Sequence, residues 1–268
     1  MENVLTIAGS DSLAGGGLEA DLKTFEELDT FGLSVVTSIV SIQKNGIAIY
    51  QEPISVIEQQ LDSVLNNLPI HYLKTGLLGD LATLKLLTSK LRQRNQKMVV
   101  DPVLVFKEGD AAIEKDYLDY YRQNFLPMAY LSTPNLDEAA KLSGMHKLKS
   151  RSDIQLAAEK IQAFGCKNVV IKGGSRLPGE IALDYAKLGQ DEYWLEDTKI
   201  LTGAIDGAGC TFSAAITAQL AQGESLISSI KFAKEFVHLG IENGIIVNKK
   251  LGNVWQGAYR QKRINHGA

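Results

Sequence analysis

The chain is short of the residues that carry metal, redox or cross-linking chemistry. Of its 268 residues only two are cysteines, Cys166 and Cys210. They stand far apart and make neither a disulfide framework nor a metal-binding pair, which points to a reducing, cytoplasmic setting. The four histidines, His71, His146, His238 and His266, are scattered with no H-x-x-x-H pair, which argues against a transition-metal centre. No apolar run approaches the ~20 residues of a membrane span. The start "MENVLTIAGS" lacks the charged, apolar and small-residue order of a secretory signal. A net charge of -3 offers no basic surface for nucleic acid or an anionic membrane. Pro/Ser-rich linkers, low-complexity tracts and internal repeats are missing too, so one domain over residues 1–268 is the simplest organisation.

What is present is alternation. "NVLTIAG" reads as a buried strand, and "GLEADLKTFEELDTFG" follows with Leu18, Leu22, Phe25 and Leu28 on one helical face. "SVVTSIV" is β-branched and strand-like. "ISVIEQQLDSVLNNL" sets Ile57, Leu61, Val64, Leu65 and Leu68 on a second helical face. The strands "HYLKTG", "MVVDPV", "AYLSTPN" and "NVVIKGG" continue the rhythm, with the helices "LATLKLLTSKLRQRN" and "SDIQLAAEKIQAFG" among them. Such alternation predicts a parallel sheet with helices on both faces. "EIALDYAKLGQDEYWLEDTKI" breaks it and reads as an antiparallel hairpin turning at Gly189.

Ligands of such sheets bind beyond the carboxyl ends of the strands. Gly9, Ser10 and Asp11 follow the first strand, Asp101 closes "MVVD", Asn135 follows "LSTP", and Lys172, Gly173 and Gly174 close "NVVI". Most of these motifs have a bland alternative of equal or greater weight. Asp21 suits a first helical turn electrostatically. Asn135 and Glu138 at i and i+3 share a helix face and could order a Mg²⁺ water shell, but they also have the form of a capping box. Lys172 could reach a phosphate, but K-G-G is a common turn. "DGAGCTFSAAITAQLA" carries the strongest local signal. Its glycines can turn backbone N–H groups inward at a helix N-terminus to hold an anion. Cys210 stands in a field that favours thiolate, against the alternative of a small buried packing residue.

Taken together, "LTIAGSDSLAGGGLEADLKTF", "LKTGLLG", "VVDPV", "TPNLDEA", "VVIKGG" and "DGAGCTFSAAITAQLA" resemble the ribokinase-like superfamily. The resemblance is to its vitamin-kinase branch of hydroxymethylpyrimidine (phosphate) kinases and bacterial pyridoxal kinases, in family order over nearly the whole chain. It implies a three-layer αβα fold with a mostly parallel central sheet and a minimal lid. It also implies ATP-dependent phosphorylation of a hydroxymethyl group on a small heteroaromatic ring. By the same resemblance Gly9, Ser10, Asp21, Ile42 and Val105 meet the ring, with Asp21 hydrogen-bonding its polar edge. Asn135, Lys172, Gly173 and Gly174 contact ATP together with Gly207 and Gly209. Asp101 and Glu138 order Mg²⁺ through water. Gly207, Ala208, Gly209 and Cys210 form the anion hole, the thiol standing where sugar kinases of the superfamily place a basic Asp. Phosphoryl transfer asks mainly for positioning and charge neutralisation, so a strong base is dispensable. A homodimer is implied, and a monovalent-ion requirement is left open.

Ile42 separates the two kinds of kinase within the branch, and three other residues depart from its patterns. Ile42 stands where the pyrimidine kinases have Gln, which favours pyridoxal, pyridoxine or pyridoxamine as the acceptor. A hydroxymethylpyrimidine kinase, or an enzyme of both types, is the alternative. Asp206 replaces a His before the anion hole, Phe106 replaces a lid Cys, and Gln256 replaces a His and reads as peripheral.

Overall fold

Capping chemistry and apolar spacing account for most of the elements. The computed structural model describes residues 1–43, 46–104, 115–249 and 251–265. The chain opens with β1 (Asn3–Asp11), α1 (Gly17–Glu27), β2 (Phe31–Gln43), β3 (Gly46–Gln51), α2 (Ile54–Asn67) and β4 (Tyr72–Thr75). It continues with α3 (Leu81–Leu91), β5 (Lys97–Val100), α4 (Lys115–Tyr120), β6 (Leu131–Ser132), α5 (Leu136–Ser143) and α6 (Arg151–Ala163). The antiparallel run β7 (Asn168–Gly174), β8 (Ile181–Leu188) and β9 (Asp191–Thr198) follows. It ends with α7 (Ala208–Ala221), α8 (Leu226–Glu242), β10 (Ile245–Ile246), β11 (Gly252–Asn253) and α9 (Ala258–Asn265).

Helix starts are written in the sequence. Asp80 accepts the Thr83 N–H at 2.8 Å to open α3, and Ser150 with Asp153 makes a capping box for α6. Gly144, at φ 69°, ends α5 in the left-handed conformation that glycine adopts without strain. In α2 the four-residue spacing of Ile57, Leu61 and Leu65 buries one face. By contrast α7 is buried almost all round. Its interior hydroxyls are satisfied internally, Thr217 donating to the Ser213 carbonyl at 2.7 Å.

Two compact units result. The first joins Met1–Gly79 to Ile200–Ala268, and the second is Asp80–Lys199. In the first, the strand order is β3-β2-β1-β4, with β1 parallel to both β2 and β4 and β3 antiparallel at the edge. In the second it is β5-β6-β7-β8-β9, parallel from β5 to β7 and antiparallel beyond. The sheet architecture is therefore mixed, and its parallel part carries the strand ends of interest. The expected hairpin is β8–β9. The strand β3 is an addition, because "GIAIYQ" is too short and too exposed to show a clear period. The register of β1 with β2 slips between Ala8 and Ser10, so that Gly9 alone faces Thr37 and Ser38. A Cβ on Gly9 would stand 2.7 Å from the Ser38 hydroxyl, so a side chain at that bulge would have to displace it.

Candidate active site

In the first unit two glycine-rich turns are pressed together. Gly207, at φ 84°, caps α7, and a Cβ there would lie 2.5 Å from the Gly15 carbonyl. A Cβ on Gly16 would lie 3.8 Å from the Cys210 Sγ and 4.0 Å from the Gly207 Cα. The Gly16 backbone therefore lies beside the half-buried thiol. The first i→i−4 bond of α7 runs from the Thr211 N–H to the Gly207 carbonyl at 2.8 Å. Gly209 and Cys210 precede that bond, in the N-terminal turn where an anion hole would lie. Ala208 differs from expectation, since its N–H turns back to the Ile205 carbonyl at 3.3 Å.

The turn after β1 is held by carboxylates. Asp11 accepts the Leu13 and Gly15 N–H groups, both at 3.0 Å, and Glu19 accepts the Asp11 N–H at 2.8 Å. The Ser10 hydroxyl proton goes to Glu19 at 2.5 Å, leaving that expected ring residue only acceptor capacity. Asp21 requires a larger correction. It has no exposed surface, pairs through both oxygens with the equally buried Lys74 at 2.8 and 2.7 Å, and accepts the Thr6 hydroxyl at 2.6 Å. It is thus a buried counter-ion that packs α1 on β1 and β4, and it does not line a ring pocket. Ile42, half-buried near the end of β2, pairs with Ile47 of β3 and presents an apolar edge. Val105 and Phe106 lie outside the described residues.

Two departures from the branch become legible here. Asp206 is bound along its backbone to β11: its N–H meets the Gly252 carbonyl at 2.8 Å and its carbonyl accepts the Val254 N–H at 3.0 Å. Its carboxylate accepts the Gly252 N–H at 3.3 Å. Gln256 is buried, not peripheral. Its amide donates at 2.9 Å to the Thr211 hydroxyl, one residue beyond the thiol.

The second unit gathers a carboxylate–lysine cluster at the ends of β5 to β7. The Lys172 ammonium lies 2.6 Å from Asp101, which also accepts the Thr133 hydroxyl at 3.3 Å. Asn135 and Glu138 form the capping box of α5: the Asn135 side chain accepts the Asp137 and Glu138 N–H groups, and Glu138 accepts the Asn135 N–H at 2.7 Å. The capping alternative is therefore realised, and it fixes the Glu138 carboxylate in place. Burial pushes the Glu138 carboxyl up to about 7, against the field of Lys172; the charge of Asp101 adds to the rise, and the Asn135 N–H and Arg176 oppose it. Gly173 and Gly174 have structural reasons of their own. A Cβ on Gly173 would meet the Leu183 carbonyl at 2.2 Å, and Gly174, at φ 50°, follows a bulge in the β7–β8 pairing.

The two carboxylates fit a hard cation. They are oxygen donors, with Asp101 close enough to add to the rise in the proton affinity of Glu138, and a positive ion would relieve that repulsion. Among the described residues no group of three His, Cys, Asp or Glu could hold a metal, so two carboxylates suit an ion that keeps most of its water. The sequence reading missed the buried Tyr121 behind the cluster. It feels the charges of Asp101 and Glu138 and sits in a π-helical turn after α4, its ring in tilted contact with those of Tyr117 and Phe125 at 6.1 and 5.4 Å between centroids. Cys166 is inert by comparison, its thiol fully buried and pushed up to about 12.

The chain is similar to known kinases over nearly its whole length. The chain is 38% identical over 264 residues to a pyridoxine kinase of Bacillus subtilis, covering 97% of each. It is 36% identical to a hydroxymethylpyrimidine/phosphomethylpyrimidine kinase of Streptomyces coelicolor, covering 95% of this chain and 94% of the relative. The structure of the pyridoxal kinase from Staphylococcus aureus in complex with AMP-PCP and pyridoxal superimposes with a TM-score of 0.91 at 39% identity, over 97% of this chain and 95% of that one. The α/β fold is that of the ribokinase-like kinases. The phosphomethylpyrimidine kinase model matches residues 11–255, a span that takes in both units, and the chain belongs to that family.

Proposed function

We propose that this protein is an ATP-dependent kinase that phosphorylates the hydroxymethyl group of pyridoxal, pyridoxine or pyridoxamine. The observation that carries the reading is the Cys210 thiol, set beside the Gly16 backbone in the first turn of α7, at the helix end whose dipole favours a transferred phosphoryl group. The substrate hydroxyl attacks the γ-phosphorus, the bond to the bridging oxygen breaks, ADP leaves, and the hydroxyl proton passes to a base or relay at Cys210. In the second unit Lys172 meets the nucleotide phosphates as a point charge, and Asn135 stands at the cap beside them. Asp101 and Glu138 would hold the water shell of Mg²⁺, which supplies charge neutralisation on the phosphates. Gly9 and Ile42 line the ring pocket, and the full-length pyridoxine and pyridoxal kinase relatives support a B6 vitamer there.

A second reading, hydroxymethylpyrimidine (phosphate) kinase or an enzyme of both types, is favoured by the Streptomyces coelicolor relative. Ile42 speaks against it, having no amide to pair with an aminopyrimidine. We further read the two units as one kinase domain, working as a homodimer in the cytoplasm. Among the described residues no helix is long and apolar enough to cross a membrane. The test is ATP turnover, read as ADP release, with pyridoxal, pyridoxine, pyridoxamine and hydroxymethylpyrimidine in parallel. The three B6 vitamers should give the higher kcat/KM. A preference for the pyrimidine would replace the first reading with the second.

A further inference from the structure

Side chains of three residues, two of them distant in sequence, converge on Gly15. A Cβ on that glycine would stand 3.0 Å from the Asn253 Oδ1, 3.2 Å from the Asp11 Oδ2 and 3.4 Å from the Asp206 Cβ. The Asn253 amide also donates to the Leu13 carbonyl at 2.8 Å. Residue 253 is itself set by a short parallel bridge to Asp206, whose backbone and carboxylate grip Gly252 and Val254. On the other side of the same turn, Gly207 packs against Gly15 and Gly16, and Gly16 faces the Cys210 Sγ. The turn needs holding. Ala14 is left-handed at φ 54° and Gly17 at φ 61°, so its conformation is not one the chain adopts unaided.

We propose that Asn253 is a positioning residue for phosphoryl transfer: seated by Asp206, its amide holds the glycine turn after β1 against the first turn of α7 and so fixes the wall that orients the Cys210 thiol. The bond connects two turns with no covalent link nearer than 240 positions along the chain. Nothing else described reaches the Leu13 carbonyl from that side. This rests on the proposed kinase activity for its catalytic half, whereas the orientation of the thiol is testable without it. Asp206 is by the same geometry a clasp for β11, with its carboxylate engaged at Gly252.

The test compares Asn253→Ala and Asn253→Asp with the unaltered full chain. Asn253→Asp keeps the shape and removes the donor, so it guards against a mere packing effect. Steady-state kinetics with pyridoxine and ATP would be measured together with the iodoacetamide alkylation rate of Cys210 across pH, read by peptide mass, and with thermal melting. We expect kcat to fall about 10- to 100-fold in both variants, the range for a displaced catalytic group. The KM for ATP should stay within about two-fold, since uniform ATP binding is untouched. Alkylation of Cys210 should change several-fold in rate or shift its pH midpoint, with melting nearly unaltered. A fall in kcat with an unchanged alkylation profile would overturn the proposal, as would a changed profile with unchanged kcat, or a loss of activity matched by loss of fold in both variants. If the unaltered protein phosphorylates no B6 vitamer, the proposed function fails, and an alkylation profile that is the same in all three proteins then overturns the thiol-orienting role by itself.

Discussion

Removing the charge from Lys74 gives the sharpest separation between a ligand-binding and a structural Asp21. Lys74→Met keeps the length and apolar stem of the side chain but strands a carboxylate that has no exposed surface. Breaking a buried ion pair from one side costs about 3–5 kcal/mol, because the remaining charge keeps its desolvation penalty and loses its compensation. For a chain of this size that corresponds to a fall in melting temperature of roughly 6–20 °C, at 2–4 °C per kcal/mol. Asp21→Asn should cost a similar amount, since the Lys74 ammonium is then the stranded charge. The double variant Asp21→Leu with Lys74→Met should recover most of the loss, as apolar replacement of a whole buried pair is often neutral. Urea unfolding followed by far-UV circular dichroism measures all three, alongside the KM for pyridoxine. Single variants within 1 kcal/mol of the parent, or a KM raised many-fold at unchanged stability, would refute the reasoning and return Asp21 to the ring.

Other expectations follow from the same geometry. Glu138 is protonated more readily in the folded than in the unfolded chain, so the folded state holds the extra proton between its ordinary value of 4.5 and about 7. Its contribution to stability is therefore present below that window and is lost as pH rises through it. Metal-free protein should resist urea less at pH 7.5 than at pH 5 by more than Glu138→Gln does, and equal slopes would contradict this. Ile42→Gln should move the kcat/KM ratio toward hydroxymethylpyrimidine, and a flat ratio in parallel assays would remove Ile42 as the discriminator. Cys210→Ala should slow both pyridoxine and pyridoxal by about 10²–10⁴-fold if the thiol handles the hydroxyl proton. Only pyridoxal should show a Cys210-dependent loss of aldehyde absorbance on binding, from reversible addition of the thiol, and its persistence in Cys210→Ala would exclude that step.

Periodic and capping signals were readable in the residues themselves. Leu18, Phe25, Ile57, Leu61 and Leu65 lie buried where their spacing put them, and the hairpin turns at Gly189. Asn135 and Glu138 were ambiguous between a cap and a cation site for a physical reason: the cap is what holds the carboxylate still. Other features were illegible because they depend on what folding brings alongside. Nothing near Asp21 in sequence announces Lys74, 53 positions away, so its residues read as a first-turn acid and the resemblance alone implied a ring contact. Gln256 looked peripheral because its partner, the Thr211 hydroxyl, is 45 positions back. Gly173 read as a phosphate turn, although the adjoining strand leaves no room for a side chain.

The first unit is written in two halves, with the whole of the second unit between them in the chain. A ribosome releases β1 and its glycine turn early, but the helix that carries Cys210 and the strand that carries Asn253 leave last. At ~5–20 residues per second that separation amounts to roughly 10–40 s of synthesis. During this interval the second unit has its complete sequence and can fold, while the early half of the first unit stands with α1, β1 and β4 lacking the helix that packs on them. Nascent chains stalled before α7 should therefore be the species that chaperones hold. Substitutions in the last sixty residues should reduce yield in the cell more than their effect on the purified, folded protein would suggest.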